Sequence, residues 1–294
     1  MAPIKSSILT EVVKFATLPI SMAIAFNSLF AYPETKNVNE LNPKGRLTGE
    51  RKVAYSKPRD TEVILDKLKK LGISFNEFVF ALVTLSLSEL IEQADEVQAC
   101  VPFTLRDFPE TFKDLKAHND FACLPKMLHF PKDGEGKRIK LCKNSVIKDD
   151  ERFKSTLVKV MQQTKQSVRS SKSKFEAIGW YYMMKYFIFL LRPVLNFKPQ
   201  GVATNYFAVL SIVPGPKKPF RFAIKGESGE NVEVKSLSYF VPGQGRVGNG
   251  ISVITNGKQV QVGVLCDTSY FKGDAHKRFV KLFEEMFELS VNVL

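Results

Sequence analysis

Histidine, tryptophan and cysteine are scarce in this 294-residue chain. It has 3 His, 1 Trp and 4 Cys. No two of the cysteines (Cys100, Cys123, Cys142 and Cys266) stand at CxxC spacing, which excludes a zinc ribbon and a thioredoxin-type redox motif. The histidines, His118, His129 and His276, are far apart, and no HExxH or other zinc spacing exists, so no metal site is expected. The chain lacks a GxxxxGK element followed by Ser or Thr, and no GxGxxG joins a strand to a helix. These absences remove the P-loop and the dinucleotide-binding turn. GxSxG is missing as well, so there is no nucleophile elbow. The basic stretches lack the aromatic interleaving of RNA-binding sheets, and no nucleic-acid partner is expected. No repeat or low-complexity tract interrupts the chain.

What is present is globular. Hydrophobic residues make up 44% and charged residues 25%, enough to bury a core and unlike a disordered tail or a disulfide-stapled miniprotein. The length is compatible with one large α/β domain or with two smaller ones. The net charge of +13 is uneven. Between Lys132 and Lys198 stand 16 basic and 6 acidic residues, an excess of ten. Such a segment attracts anions: lipid headgroups, a CoA phosphate or nucleic acid. Three of the cysteines lie in apolar runs, which favours a reducing, cytosol-facing compartment.

Two stretches raise a membrane question. Phe15 to Pro33 carries no charge over 19 residues and follows Lys5 and Lys14. A buried or membrane-surface helix, a span and a signal peptide are all open, although Pro19, Ser21, Asn27 and Ser28 weaken a span. Ala177 to Leu195 gathers Trp180, Tyr181, Tyr182, Tyr186, Phe187 and Phe189 around Lys185 and Arg192. Aromatics flanked by cations suit the headgroup boundary, and equally a core helix with a snorkelling lysine.

Along the chain, Arg51–Ser56 alternates as a strand. Thr61–Leu71 is amphipathic and stops at Gly72. Ser74 with Glu77 three residues on forms a capping box for an apolar helix running through FVFALVTLSLSELIEQ. Gln98–Phe103 reads as a strand, Phe121–Phe130 as an apolar run broken by Pro125, and Lys132–Asp150 as a charged connector. Glu151–Ser171 reads as a basic, solvated helix. Strands are expected at Tyr206–Val213, Phe220–Ile224, Val232–Phe240, Ile251–Thr255 and Gln259–Asp267, with a hairpin at Asn256-Gly257. Asp274–Leu289 closes the chain as a helix. The pattern predicts a mixed α/β, or α+β, layer fold.

One motif carries chemistry. His129-Phe-Pro-Lys-Asp133-Gly134 is a formal HxxxDG. In such a motif an imidazole serves as general base on an acceptor hydroxyl, and the Asp turns inward to hold the local structure. Six residues alone are also met as a histidine ending a strand before a charged turn.

Several phrases then occur in one order: LNPKGRLTGERKVAYS, SFNEFVFALVTLSLSELI, ACVPFTLR, HNDFACLPKMLHFP and LSIVPGPKKPF. From about Leu41 to the C-terminus the chain resembles the wax ester synthase/diacylglycerol acyltransferases of the CoA-dependent acyltransferase superfamily, and in particular their C-terminal domain. The resemblance implies a chloramphenicol-acetyltransferase-like fold, with a mixed, largely antiparallel sheet flanked by helices. It implies acyl transfer from long-chain acyl-CoA, a substrate rather than a cofactor, to diacylglycerol or a long-chain alcohol, in a tunnel between two halves. Residues carried over onto that channel are Asn76, Glu77, Arg106, Pro214, Gly215 and Pro216. Arg106 would pair with a CoA phosphate or with a structural carboxylate.

The family's catalytic HHxxxDG lies upstream of the helix that starts near Asn76, where this chain has no histidine at all. His129 and Asp133 fall on the wrong side of that order and are kept only as a formal match. Asn76-Glu77 replaces the family's Asn-Asp, so Glu77 has two roles open, channel carboxylate or helix cap. Ile212 replaces an Asn before Val213-Pro214, which puts transition-state stabilisation in doubt. Residues 1–45 are expected to be an apolar helical arm left from a missing first half, and residues 46–294 the acyltransferase domain. The expected setting is a membrane surface facing the cytosol, at the endoplasmic reticulum or plasma membrane in a eukaryote. A non-catalytic binder of lipid or acyl-CoA is the alternative function.

Overall fold

The computed structural model describes residues 18–23, 48–92, 94–104, 121–143, 146–169, 179, 207–213, 218–219, 221–223, 231–241, 248–269 and 273–294. Its frame is one mixed sheet. In chain order the elements are β1 (Arg51–Tyr55), β2 (Arg59–Asp60), α1 (Glu62–Lys70), α2 (Phe75–Leu90), β3 (Glu96–Thr104), β4 (Phe121–His129), β5 (Cys142–Lys143), β6 (Val146–Ile147) and α3 (Asp150–Arg169). They continue with β7 (Ala208–Val213), β8 (Arg221–Ala223), β9 (Asn231–Glu233), β10 (Asn249–Asn256), β11 (Gln259–Asp267) and α4 (Ala275–Val293). Residues 18–23 are also helical.

The strand order is β1-β11-β10-β7-β3-β4, with β2 also on β11. β10, β7 and β3 run parallel; the pairs β1/β11, β11/β10 and β3/β4 are antiparallel. This is the mixed α/β fold expected, and α1, α2, α3 and α4 share one core with the sheet. Alternation along the strands sends Val97, Ala99 and Val101, Leu210, Ile251 and Val253, and Val260, Val262 and Val264 into one core with the helices.

α2 is the centre of that core. Every residue from Glu77 to Ser88 is buried, because apolar side chains occupy nearly all round the helix and it packs against both α3 and α4. The Phe78 ring lies tilted at 57° against Phe287 of α4, with centroids 5.8 Å apart, and burying each such ring contributes about 1.5–3 kcal/mol. Of its buried hydroxyls, Thr84 donates to the Phe80 carbonyl at 2.8 Å and Ser86 to the Met286 sulfur at 3.7 Å. The expected capping box is present, with the Ser74 hydroxyl accepting from Glu77 N at 3.3 Å and the Glu77 carboxylate accepting from Ser74 N at 2.7 Å. Gly72, at φ +63, makes the turn between α1 and α2.

Four local expectations differ from the structure. Pro125 does not break its run; β4 continues through it. Among the described residues β4 has a partner on one side only, the place in a sheet where a missing N–H costs least. The Lys132–Asp150 connector carries a Lys132/Arg138 bridge and the β5/β6 hairpin. α3 is not solvated all round; Phe153, Thr156, Leu157, Val160 and Met161 are buried. Val232–Phe240 is a strand only as far as Glu233. From Val234 to Val241 the chain is laid across the sheet. Asn256 donates to the Val234 carbonyl at 2.8 Å, Ser252 to that of Tyr239, and Tyr239 to that of Ser211 at 2.8 Å. Gly250 makes this approach possible, since a Cβ there would stand 2.0 Å from the Val241 carbonyl oxygen.

The connection from α2 to β3 is only residues 91–95, so the helix runs back along the strand. The amino end of α2 therefore stands at the carboxyl end of β3. β7 is parallel to β3, with Ala99 beside Ala208 and Cys100 beside Val209, and both strands run on toward that same end.

Candidate functional site

Of the residues carried over from the resemblance, Asn76 and Glu77 are the ones the structure describes. Asn76 and Glu77 lie in the first turn of α2. β3 leads from Thr104 toward Arg106, and β7 leads from Val213 into Pro214, Gly215 and Pro216. Arg106 and Pro214–Pro216 themselves lie outside the described residues, as does all of Ala177–Leu195 except Gly179. The carboxyl ends of neighbouring parallel strands are where open α/β sheets bind ligands.

Glu77 is 2% exposed and fully engaged. Besides Ser74, its carboxylate accepts Arg169 Nε at 2.5 Å and Nη2 at 2.9 Å. The same guanidinium donates to the Gly72 carbonyl at 3.3 Å. Burial alone would raise the Glu77 pKa; the Arg169 fork and the Ser74 donors outweigh it and hold the carboxyl below its ordinary value. Of the two roles open in the sequence, the cap is the one its contacts fill. Sequence reasoning missed Arg169, whose pairing spans 92 residues. Asn76 beside Glu77 is exposed. Ile212 packs against the core, so the apolar replacement for the family's Asn is absorbed as packing.

His129 stands at the other end. It ends β4 opposite Glu96, the first residue of β3. Thr104 is eight residues further on, about 26 Å away at the usual strand rise. The His129 side chain is 67% exposed, and its Nδ1 lies 2.7 Å from Glu96 Oε2. Asp133 holds a turn instead of the imidazole. Its Oδ1 accepts from Glu135 N at 3.0 Å and Lys137 N at 2.8 Å, around Gly136 at φ +79.

Part of the basic segment is consumed nearby. Arg138 donates to the carbonyls of Ala94 and Ser88 at 2.8 and 2.5 Å and lies 4.4 Å over the Phe130 ring. Lys140 donates to Ser88 and Glu89 carbonyls at 2.7 and 3.3 Å. These cations satisfy the orphan carbonyls at the carboxyl end of α2. Burial lowers the pKa of both. Lys218 is exposed, and Arg221 is paired with Glu233 at 2.9 Å.

Two cavities adjoin α2. One, about 50 Å³, is bounded by α2, α3 and β4. The other, about 390 Å³, lies between the carboxyl end of α2, Lys140, Cys142 and α4. Six of its eight lining residues are charged, which does not suit a long acyl chain. Among the described residues no group of three or more His, Cys, Asp or Glu could hold a metal. Nor is any single described helix long and apolar enough to cross a membrane. Cys100, Cys142 and Cys266 are not in disulfides.

Comparison with known proteins defines the class of fold first. Trichothecene 15-O-acetyltransferase TRI3 from Fusarium sporotrichioides aligns over 92% of this chain and 53% of its own, at 12% identity and a TM-score of 0.53. The epimerization domain of tyrocidine synthetase B aligns over 84% and 49%, at 13% identity and TM-score 0.51. The fold is thus that of the chloramphenicol-acetyltransferase-like acyltransferases and condensation domains. Residues 153–289 match the family model of the WS/DGAT C-terminal domain, and the resemblance found from sequence holds over that span. The wax ester synthase/diacylglycerol acyltransferase of Marinobacter aquaeolei VT8 aligns over 88% of this chain and 56% of its own, at 18% identity and TM-score 0.45. The chain spans about half the length of these solved structures. No curated protein matches the sequence.

Proposed function

We propose that this chain supplies the C-terminal part of an O-acyltransferase of neutral-lipid synthesis, moving a fatty acyl group from acyl-CoA to diacylglycerol or a long-chain alcohol. The match of residues 153–289 to the WS/DGAT C-terminal domain carries the proposal. The chain contains no HHxxxDG. Acyl transfer needs a base to deprotonate the attacking hydroxyl beside the thioester carbonyl. In this reading that base comes from a first half of the enzyme, and this chain contributes the wall formed by the start of α2 and the carboxyl ends of β3 and β7. The acyl chain lies against that wall, because the two cavities beside α2 are too small or too charged for it. The excess of ten positive charges over Lys132–Lys198 favours work at an anionic, cytosol-facing membrane surface.

The test is acyl transfer by this chain with labelled long-chain acyl-CoA and either acceptor, with His129→Ala beside it. No ester from either protein is expected, together with saturable binding of the acyl-CoA. Ester made by wild type and lost in His129→Ala would make His129 the base and overturn the reading. Absence of acyl-CoA binding would overturn it as well.

A further inference from the structure

The larger cavity beside α2, about 390 Å³, is lined by charges of both signs from separate elements. One wall is the carboxyl end of α2, with Glu89 in its last turn and Glu92 just past it. The other is α4, where Arg278 is followed three residues on by Lys281 and seven on by Glu285, all on one side of the helix. Cys142 stands within reach of both walls, with Glu89 on one side and Arg278 and Glu285 on the other acting on its thiol. With Lys140 the lining is balanced, three acids against three bases.

Most of these charges already have work. Glu89 accepts from Leu141 N at 2.8 Å and Cys142 N at 3.4 Å. Lys140 holds the Ser88 and Glu89 carbonyls, and Lys281 lies 3.5 Å from Glu285. Arg278 and Glu92 are different. Both are exposed, and among the described residues neither side chain has a hydrogen bond or an ion pair. Glu92 acts on Arg138 and Lys140 through space only. Two opposite charges thus line one cavity without closing on each other.

A ligand of one sign would be repelled by half of that lining. A net-neutral ligand with a charge at each end engages both residues at once. A carboxylate fits the flat guanidinium fork of Arg278, and an ammonium donates to the Glu92 carboxylate. Ammonium and carboxylate on a single carbon stand only about 2.5 Å apart, whereas a dipeptide separates them by about 6 Å. Its link is a peptide group, polar as the lining is, where Leu282 is the one aliphatic residue. The volume lies within the usual range for small-molecule sites.

We infer that this cavity binds a dipeptide-sized zwitterion with free amino and carboxyl termini, its carboxylate on Arg278 and its ammonium on Glu92. The site is at the carboxyl end of α2, and acyl transfer is assigned to the amino end, so the inference stands apart from that reading.

Saturation-transfer NMR on the methyl groups of alanylalanine tests it, with N-acetyl-alanylalanine, alanylalanine amide and free alanine beside it. A saturable signal is expected from the free dipeptide, at least tenfold stronger than from the other three, which lack one charge or the distance between charges. Arg278→Gln and Glu92→Gln, conservative changes at exposed positions, should each weaken the signal at least tenfold. The capped ligands decide the matter on the wild-type protein alone, whatever either variant does to folding. No signal from wild type, an equal signal from a capped dipeptide or from alanine, or an undiminished signal in either variant would overturn the inference.

Discussion

Removing Arg169 should destabilise the protein in a pH-dependent way. Arg169→Ala deletes the two guanidinium bonds to Glu77 at 2.5 and 2.9 Å and leaves a carboxylate that is 2% exposed with only its cap partners. Breaking a buried ion pair from one side costs about 3–5 kcal/mol. The Arg169 side chain is 48% exposed, so water replaces much of what is lost. A net cost of about 1.5–2.5 kcal/mol remains, which lowers Tm by about 4–8 °C for a domain of this size. The folded Glu77 pKa lies below its unfolded value. Its contribution is therefore complete above the ordinary glutamate pKa of about 4.3 and is lost as pH falls through the folded value. Thermal melts of wild type, Arg169→Ala, Glu77→Gln and the double variant should show a gap at pH 7 that closes toward pH 3, and non-additive single effects. Equal Tm values at pH 7, or a gap that persists in acid, would refute the reasoning.

Three further outcomes follow from local geometry. Gly250→Ala places a Cβ 2.0 Å from the Val241 carbonyl oxygen; the segment crossing the sheet must move, and urea melts should show a loss of about 1–3 kcal/mol or more. Asp267, with a side chain at 0% exposure, accepts from Thr48 N and Oγ, Gly49 N and Ser269 N. Burial works to raise its pKa, but these donors hold it well below the carboxylate range. Asp267→Ala should therefore cost about 3 kcal/mol at pH 7 in the same melts, a cost that shrinks as pH falls through the folded pKa. Burial pushes the Cys266 thiol up to about 11 and that of Cys142 to about 12. Both should label with iodoacetamide at pH 7.5 far more slowly than a free cysteine, as read by mass spectrometry.

Signals confined to short windows were legible in the sequence. The Ser74/Glu77 box starts α2 as read, and Asn256-Gly257 turns β10 into β11 with Asn256 opposite Gln259. Features that depend on partners far along the chain were not. Pro125 looks like a break until β4 is known to have, among the described residues, a partner on one side only. Residues 234–241 have strand composition, yet they bond through side chains of β10 and through Tyr239, a pattern hinted at only by glycines at Gly250 and Gly263 inside β-branched runs. Arg138 and Lys140 read as surface charge, although their partners are carbonyls about 50 residues earlier. For the site, the phrases containing Asn76, Arg106 and Pro214–Pro216 pointed by resemblance to one channel; of these the structure describes Asn76, at the start of α2. The order of motifs already set HxxxDG apart, and the structure puts His129 opposite Glu96, the first residue of β3.

The central claim is that acyl-CoA meets this chain at the start of α2 and the carboxyl ends of β3 and β7. A long-chain acyl-CoA bearing a diazirine on the acyl chain, photolysed on the full chain and mapped by mass spectrometry, tests it directly. Adducts should fall on peptides containing Ser74–Glu77, Thr104 or Val213 and compete with unlabelled acyl-CoA. Adducts concentrated on Lys126–Lys137, around His129, would contradict the account.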